Sequence, residues 1–408
     1  MPSKPLTSQP AGRIKAITLV RIVDYFLGDD DMELVLLAAS FGVSLFALIF
    51  PYLIYPKILA WLPIRPLQPN GLMPESMSLL FCCYNESRAL PEKIENMRAL
   101  RTRYPSVEIL AYDDGSSDTS LQLLQAHPKV LTVVLGTGRR GKAHGMKQLA
   151  ARAQGEILIF SDANVLLDVD GPDLIRGYFA DPEVGGVCGA LHYTDISATA
   201  TATVLVGGAY WRLEERIKQL ESRSGNVMGA DGSIFATRRA LYPDFPDTVL
   251  DDLTVSMEVV FRGKRLIHAP DVRAYERLVA DRNEEYHRKM RIATRALYTH
   301  RFLQPRLRKM TAMDRFKYRS HKVIRWAGGV SMAAAVASFL GMMLVISIPL
   351  GMAACTVLVG LIIAMLYVRF GPLAKLREIL GAILATTIGA MRGLRGQTLA
   401  TWVPAKSR

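Results

Sequence analysis

Glu156-Ile157-Leu158-Ile159-Phe160-Ser161-Asp162-Ala163-Asn164 is the stretch that decides how this chain is read. Its first half is apolar and β-prone, and it stops abruptly on a carboxylate, a small residue and an amide. Short apolar runs bounded by polar turns are the pattern of buried strands. A buried strand ending on Asp162 delivers an oxygen ligand to the rim of a sheet, and open α/β sheets bind ligands outside the carboxyl ends of their strands. Asp162 and Asn164 are therefore candidates for holding a divalent metal or facing a phosphate. An Asx turn, in which both side chains bond their own backbone, is the alternative.

Upstream, the pattern alternates. Strands are expected over 77–83, 107–112 and 130–135, and helices over 90–103, 118–126 and 142–153. Strands alternating with helices imply an α/β fold built on a mostly parallel sheet covered on both faces. Beyond Asn164 the pattern loosens. Helices are expected over 205–220 and 251–261, a strand over 265–269, and a long basic helix from about Asn283.

The chain has 408 residues, half of them apolar, and a net charge of +13. Leu34 to Pro56 and Trp326 to Val368 contain no charged residue. About 20 apolar residues cross a bilayer, so the first run fits one span and the second fits two. No basic segment with a short apolar core opens the chain, so no cleaved signal peptide is expected. Between Arg282 and Arg325 there are 14 Lys or Arg against three acids, Glu284, Glu285 and Asp314. Cations flank spans on the cytoplasmic side and favour anionic headgroups. A membrane partner is expected, and not nucleic acid, because the basic patch abuts a span. The expected location is the inner (plasma) membrane, multi-pass, with the soluble part cytoplasmic. The four cysteines show no CxxC or Cys/His ligand spacing, which suits a reduced compartment. Residues 379–391 are apolar but too short to span. Flanked by Lys375, Arg377, Arg392 and Arg395, they are expected to be interfacial or re-entrant.

These features divide the chain. Residues 1–33 form a polar segment, 34–62 a first span and its exit, and 63–75 a proline-punctuated linker. Residues 76–301 form the α/β domain and 302–325 a basic juxtamembrane segment. Spans follow over 326–348 and 349–368, then an interfacial or re-entrant helix and basic tail over 369–408.

Three strands end on polar clusters: Tyr84-Asn85-Glu86, Asp113-Asp114-Gly115-Ser116 and Asp162-Ala163-Asn164. If the strands are parallel, all three share one edge of the sheet. Between them lies Gly136-Thr137-Gly138-Arg139-Arg140-Gly141-Lys142-Ala143, a near match to the phosphate-cradling GxxxxGK[ST]. Ala143 replaces the hydroxyl, so a P-loop nucleotide-binding protein is the alternative reading. A glycine-rich turn with cations at a helix N-terminus still favours an anion.

With these motifs in this order, the chain resembles the family 2 glycosyltransferases, in the membrane-bound branch related to cellulose, chitin and hyaluronan synthases. The resemblance implies the GT-A fold, an inverting mechanism, a nucleotide-sugar donor (most often a UDP-sugar) and Mg²⁺ or Mn²⁺. It implies donor or acceptor contacts at Tyr84, Asn85, Glu86 and Lys142, and puts Asp114 on the base or ribose. It puts Asp162 on the metal and diphosphate, with Asn164 where the family has a second Asp. Gly229-Ala230-Asp231-Gly232-Ser233 falls where the acceptor pocket is shaped, so Asp231 is a substrate-binding candidate. Asp251-Asp252 matches the family's Glu-Asp motif, which makes Asp252 the general base; helix capping is the alternative. Arg288 and Arg291 lie where the synthases carry Gln-x-x-Arg-Trp, and are candidates for holding the diphosphate. The missing Gln and Trp argue against processive extrusion. The expected acceptor is lipid-linked or a polysaccharide, and the expected role is cell-surface polysaccharide synthesis. A catalytically weak membrane scaffold is a further alternative.

Overall fold

The computed structural model describes residues 29–194, 202–277, 281–368, 371–398 and 401. Most of the polar segment 1–33 and the end of the basic tail lie outside the described residues. The chain divides into two compact units, one of 1–49 with 330–367 and one of 50–329 with 368–408.

The first unit is built from apolar helices. Helix α1 (Asp29–Ile49) leads into a π-helical turn (Phe50–Ile54) and α2 (Tyr55–Trp61), both of which belong to the second unit. Among the described residues, three helical segments are long and apolar enough to cross a membrane: Asp31–Trp61, Gly328–Ile346 and Ile348–Tyr367. Within the first unit Ser338 Oγ donates to Ser40 Oγ at 2.8 Å, and the rings of Phe41 and Phe339 lie 6.1 Å apart.

The second unit carries an eight-stranded sheet. Its strands are β1 (Met77–Cys83), β2 (Glu108–Asp113), β3 (Thr132–Leu135), β4 (Ile157–Asp162), β5 (Leu166–Leu167), β6 (Val184–Tyr193), β7 (Ile234–Arg238) and β8 (Arg265–Glu276). Its helices are α3 (Leu90–Arg103), α4 (Ser120–Gln125), α5 (Lys142–Arg152), α6 (Gly171–Tyr178), α7 (Ala202–Arg223), α8 (Asp251–Phe261), α9 (Arg282–Leu307), α10 (Ala312–Tyr318) and α11 (Ile324–Trp326). Helices α12 (Gly328–Ile346), α13 (Ile348–Tyr367) and α14 (Gly371–Leu394) follow. The strand order is β3-β2-β1-β4-β7-β6-β8-β5. From β3 to β4 the strands are parallel, as the alternation of strands and helices requires. The sheet is mostly parallel, as expected, and mixed beyond β4, where β6 pairs parallel with β8. Strand β7 runs antiparallel to both β4 and β6, and β5 antiparallel to β8.

One side of the parallel half packs on α3, with Leu79, Phe81, Ile94, Met97 and Ile159 in a common core. The other packs on α5, with Leu80, Tyr112, Met146, Leu149 and Phe160. Residues 379–391 are the middle of a 24-residue helix, α14, not a 13-residue fragment. It lies along α9. A Cβ on Gly389 would come 2.3 Å from Met290 O, and one on Gly393 would come 2.5 Å from Thr294 O.

A buried polar network closes the other side of α7. Tyr55 Oη donates to Glu221 Oε1 at 2.6 Å. His321 lies between two carboxylates, its Nδ1 2.9 Å from Glu221 Oε1 and its Nε2 2.6 Å from Glu214 Oε1. Arg325 Nη1 donates to Glu214 Oε2 at 2.6 Å, and Lys317 Nζ donates to the Glu221 carbonyl at 2.9 Å.

Candidate active site

The parallel register sets the site. Cys83 pairs with Asp113 and Cys82 with Asp162, so the three polar strand ends share one edge. The loops beyond them are tied together. Asn85, at φ 53°, accepts from Ser117 N–H at 2.8 Å and donates from Nδ2 to Ser117 Oγ at 3.1 Å. Glu86 N–H donates to Ser120 Oγ at 2.8 Å. The guanidinium of Arg139 stacks on the Tyr84 ring at 3.8 Å.

The two aspartates at the end of β2 divide two tasks. Asp113 forms an Asx turn, Oδ2 accepting from the N–H groups of Gly115 and Ser116. Asp114 instead crosses to the glycine-rich turn, its two oxygens accepting from Arg140 N–H and Gly141 N–H, each at 2.8 Å. Two N–H groups that a phosphate cradle would use are therefore taken, which removes the main support for a P-loop at this turn.

Lys142, at the start of α5, also leaves the turn. Its Nζ donates to Asp162 Oδ1 at 2.6 Å and lies 3.9 Å from Asp251 Oδ2. Gly232 marks the point of convergence. A Cβ there would fall 2.6 Å from Lys142 Nζ, 3.3 Å from Asp252 Oδ2 and 3.7 Å from Asp162 Oδ2. Only glycine leaves this point open for a ligand. Burial opposes the charge of Lys142, but Asp162, Asp251 and Asp252 more than offset it and hold the ammonium above its usual range. Burial, and then the neighbouring Asp251, push the Asp252 carboxyl up to about 6, against the pull of Lys142 and the Leu253 N–H. That places it where a general base works near neutral pH. Leu250 holds the N-cap position of α8 without a side-chain bond, and Asp252 Oδ1 accepts from Leu253 N–H at 2.6 Å within the first turn, so Asp252 also serves the helix start.

Asp162 fits a divalent cation that arrives with a diphosphate, because Mg²⁺ and Mn²⁺ sites take one or two carboxylates and complete the shell with phosphate and water. Among the described residues no three His, Cys, Asp or Glu side chains form a metal cage. Asn164 and Asp162 do not form the Asx turn expected as the alternative: Asn164 Nδ2 donates to Glu276 Oε1 at 2.9 Å, across the sheet.

Asp231 belongs to a neighbouring network. Lys218 Nζ lies 2.5 Å from Asp231 Oδ2 and 3.0 Å from Glu215 Oε1, and His268 Nε2 lies 3.0 Å from Glu215 Oε2. Burial works against the Asp231 carboxylate, but Lys218 holds its pKa below the usual range, so it is a paired anion and not a base. Arg288 makes a forked pair with Glu285 at 2.7 and 3.1 Å, on the same helix. Arg291 follows on α9, half-buried.

Three contributors escape a reading of the sequence. Lys93 is fully buried and donates to Ser161 Oγ at 3.0 Å and to the Val165 carbonyl at 2.6 Å, pinning the 161–165 turn from below. Burial pushes its pKa down to about 7 against the attraction of Asp162. A signal for it exists: Lys93 falls on the same face of α3 as Leu90, Ile94, Met97 and Leu100. Arg295, buried on α9, donates to the Val249 carbonyl at 2.7 Å and lends positive charge to Asp251 and Asp252. Glu276, at the end of β8, has no local signal.

Residues 78–245 match the family described as Glycosyl transferase family 2. The poly-beta-1,6-N-acetyl-D-glucosamine synthase of Staphylococcus aureus (strain COL) is 27% identical over 204 residues, 48% of this chain and 48% of that one. Its counterpart from Staphylococcus epidermidis is 25% identical over 192 residues, 45% and 46% of the two chains. The chain thus spans about half the length of the curated relatives it matches. Among solved structures, mannosyltransferase PcManGT from Pyrobaculum calidifontis, in complex with GDP-Man and Mn²⁺, superposes with a TM-score of 0.66 at 21% identity, covering 88% of this chain and 98% of that one. The two share the GT-A fold.

Proposed function

We propose, from the match of residues 78–245 to Glycosyl transferase family 2, that the protein is an inverting, membrane-bound transferase. It moves a sugar from a nucleotide sugar, a UDP-sugar before others, to a hydroxyl of a lipid-linked or polysaccharide acceptor. The observation that carries this reading is the convergence of Asp162, Lys142 and Asp252 on the open position at Gly232.

The stacked Tyr84 and Arg139, with Asp114 beside them, receive the base and ribose. Lys142 sits where an ammonium offsets charge that develops on the leaving diphosphate; preorganised charge of this kind is usually the largest catalytic term. Asp162, with Asn164, would hold Mg²⁺ or Mn²⁺, which when bound would supply positive charge to the leaving diphosphate. Asp252 accepts the proton of the acceptor hydroxyl as that oxygen bonds to the anomeric carbon. The bond from that carbon to the diphosphate oxygen breaks on the opposite face, so the centre inverts. The relatives named as polysaccharide synthases support a polysaccharide acceptor, and the three apolar helices support a membrane setting. With the basic segment before the second span on the cytoplasmic side, the site meets the cytoplasmic pool of nucleotide sugars.

The test is release of nucleoside diphosphate from a panel of UDP- and GDP-sugars by the purified full chain. Mn²⁺- or Mg²⁺-dependent release that is lost in Asp162→Ala is the expected result. No release with any nucleotide sugar, or turnover of ATP instead, overturns the reading.

A further inference from the structure

Asn164 stands where a carboxylate would bring charge to a metal, and its amide has two chemically different ends. Only the oxygen can ligate a hard cation. Glu276 engages one of the two ends. That side chain is buried at the end of β8, and its Oε1 lies 2.9 Å from Asn164 Nδ2. An ionised carboxylate only accepts hydrogen bonds, so the amide must present its nitrogen to Glu276. The pairing is fixed by the sheet and not by a flexible loop. Tyr193 of β6 is in register with Glu276, and Leu166 of β5, two residues past Asn164, with Tyr275. From the other side Lys93 holds Ser161 and the Val165 carbonyl. The turn bearing Asp162 and Asn164 is thus clamped from both ends.

We propose that Glu276 is a positioning residue of this turn. By engaging the amide nitrogen of Asn164, it leaves the amide oxygen as the atom offered to a divalent cation that arrives with a nucleoside diphosphate. The inference rests on the donor-site reading above. It assigns a role to a residue 112 positions away from its partner, on a strand that contributes no motif. Outer-shell partners that orient a ligand typically change metal affinity by about 10–100-fold when mutated.

The test is Mn²⁺ binding by the full chain in detergent with UDP or GDP present, followed by the paramagnetic resonance of free Mn²⁺. Glu276→Gln removes the constraint, since a glutamine can accept from the Asn164 nitrogen or donate to its oxygen. It is expected to raise the Mn²⁺ dissociation constant by about 10–100-fold. Asn164→Asp alone sets two carboxylates against each other and is expected to weaken binding as well. Combining Glu276→Gln with Asn164→Asp exchanges the two groups. The amide on β8 can then donate to the carboxylate on the turn and leave that carboxylate's other oxygen for the metal, so affinity at least as tight as wild type is expected. An unchanged dissociation constant in Glu276→Gln overturns the role of Glu276 alone, even if the melting temperature falls. So does failure of the double variant to recover. A wild-type chain that binds no Mn²⁺ with either nucleotide overturns the donor-site reading and this role together.

Discussion

Asp252 lies beside a second carboxylate in a buried place, and its protonation should be visible in both rate and stability. Asp252→Asn keeps size and removes the proton acceptor. A loss of kcat of about 10²–10⁴-fold, or about 3–5 kcal/mol in the barrier, is expected, with donor affinity near wild type. In the wild type, kcat/KM should fall on the acid side below about pH 6, where the carboxyl takes up its proton. The folded carboxyl binds that proton more tightly than an unfolded aspartate, whose pKa is about 3.9. Its contribution therefore favours the native state fully below about pH 4 and is lost as pH rises through about 6. Asparagine has no charge to desolvate. Asp252→Asn should raise the melting temperature at neutral pH, and the difference should vanish below about pH 4. Equal stability at both pH values would mean that the site does not strain the carboxylate. Asp162, Lys142 and Asp252 are legible in the sequence because each follows a local signal: a strand end, a glycine-rich turn, a helix start. Glu276 is not, and Lys93 shows only its place on the buried face of α3, because their partners come from pairings 112 and 68–72 positions apart.

Elements with strong periodicity are also legible, and those rich in glycine are not. Strand β6 carries Gly185, Gly186 and Gly189, which lower strand propensity. Yet a Cβ on these glycines would come within 2.6–2.7 Å of Lys264, Leu266 and the Val272 carbonyl, so packing demands what propensity argues against. Helix α14 looks too short in the sequence for a related reason. Lys375 and Arg377 read as its flank, whereas they lie inside it, and Glu378 pairs with Arg282 at 3.1 Å. Its small residues meet α9, while Leu376, Ile379, Leu384, Met391 and Leu394 are exposed. Gly389→Leu should force α14 off α9, at a cost of about 1–3 kcal/mol or more. The readouts are a lower melting temperature and new protease cleavage within 371–394. An unchanged melting temperature would mean that the close approach at Met290 is not required.

Across the whole molecule, the basic excess before the second span is partly turned inward. Arg288 and Lys289 pair with Glu285, Arg306 with Glu258, and Arg325 with Glu214. What remains still predicts a cytoplasmic site. A cysteine at Glu95, whose side chain is 66% exposed, should resist a membrane-impermeant maleimide in intact cells when Cys82, Cys83, Cys188 and Cys355 are replaced, and should react after lysis. Labelling in intact cells would reverse the orientation. The network around His321 sets a different limit. His321→Ala leaves Glu214 and Glu221 short of their partner, and breaking a buried ionic contact typically costs about 3–5 kcal/mol. Loss of most folded protein, read by size-exclusion profile and thermal melting, is the expected result; a normal melt would show the network to be dispensable. The same contacts also order events in time. Glu221 and Glu214 leave the ribosome 100 and 107 residues before the histidine that joins them. Until His321 and Arg325 emerge, the nascent chain carries two acids with nowhere to be buried. The next segment to emerge is Gly328–Ile346, so the domain acquires its last buried partners just before that apolar helix is exposed.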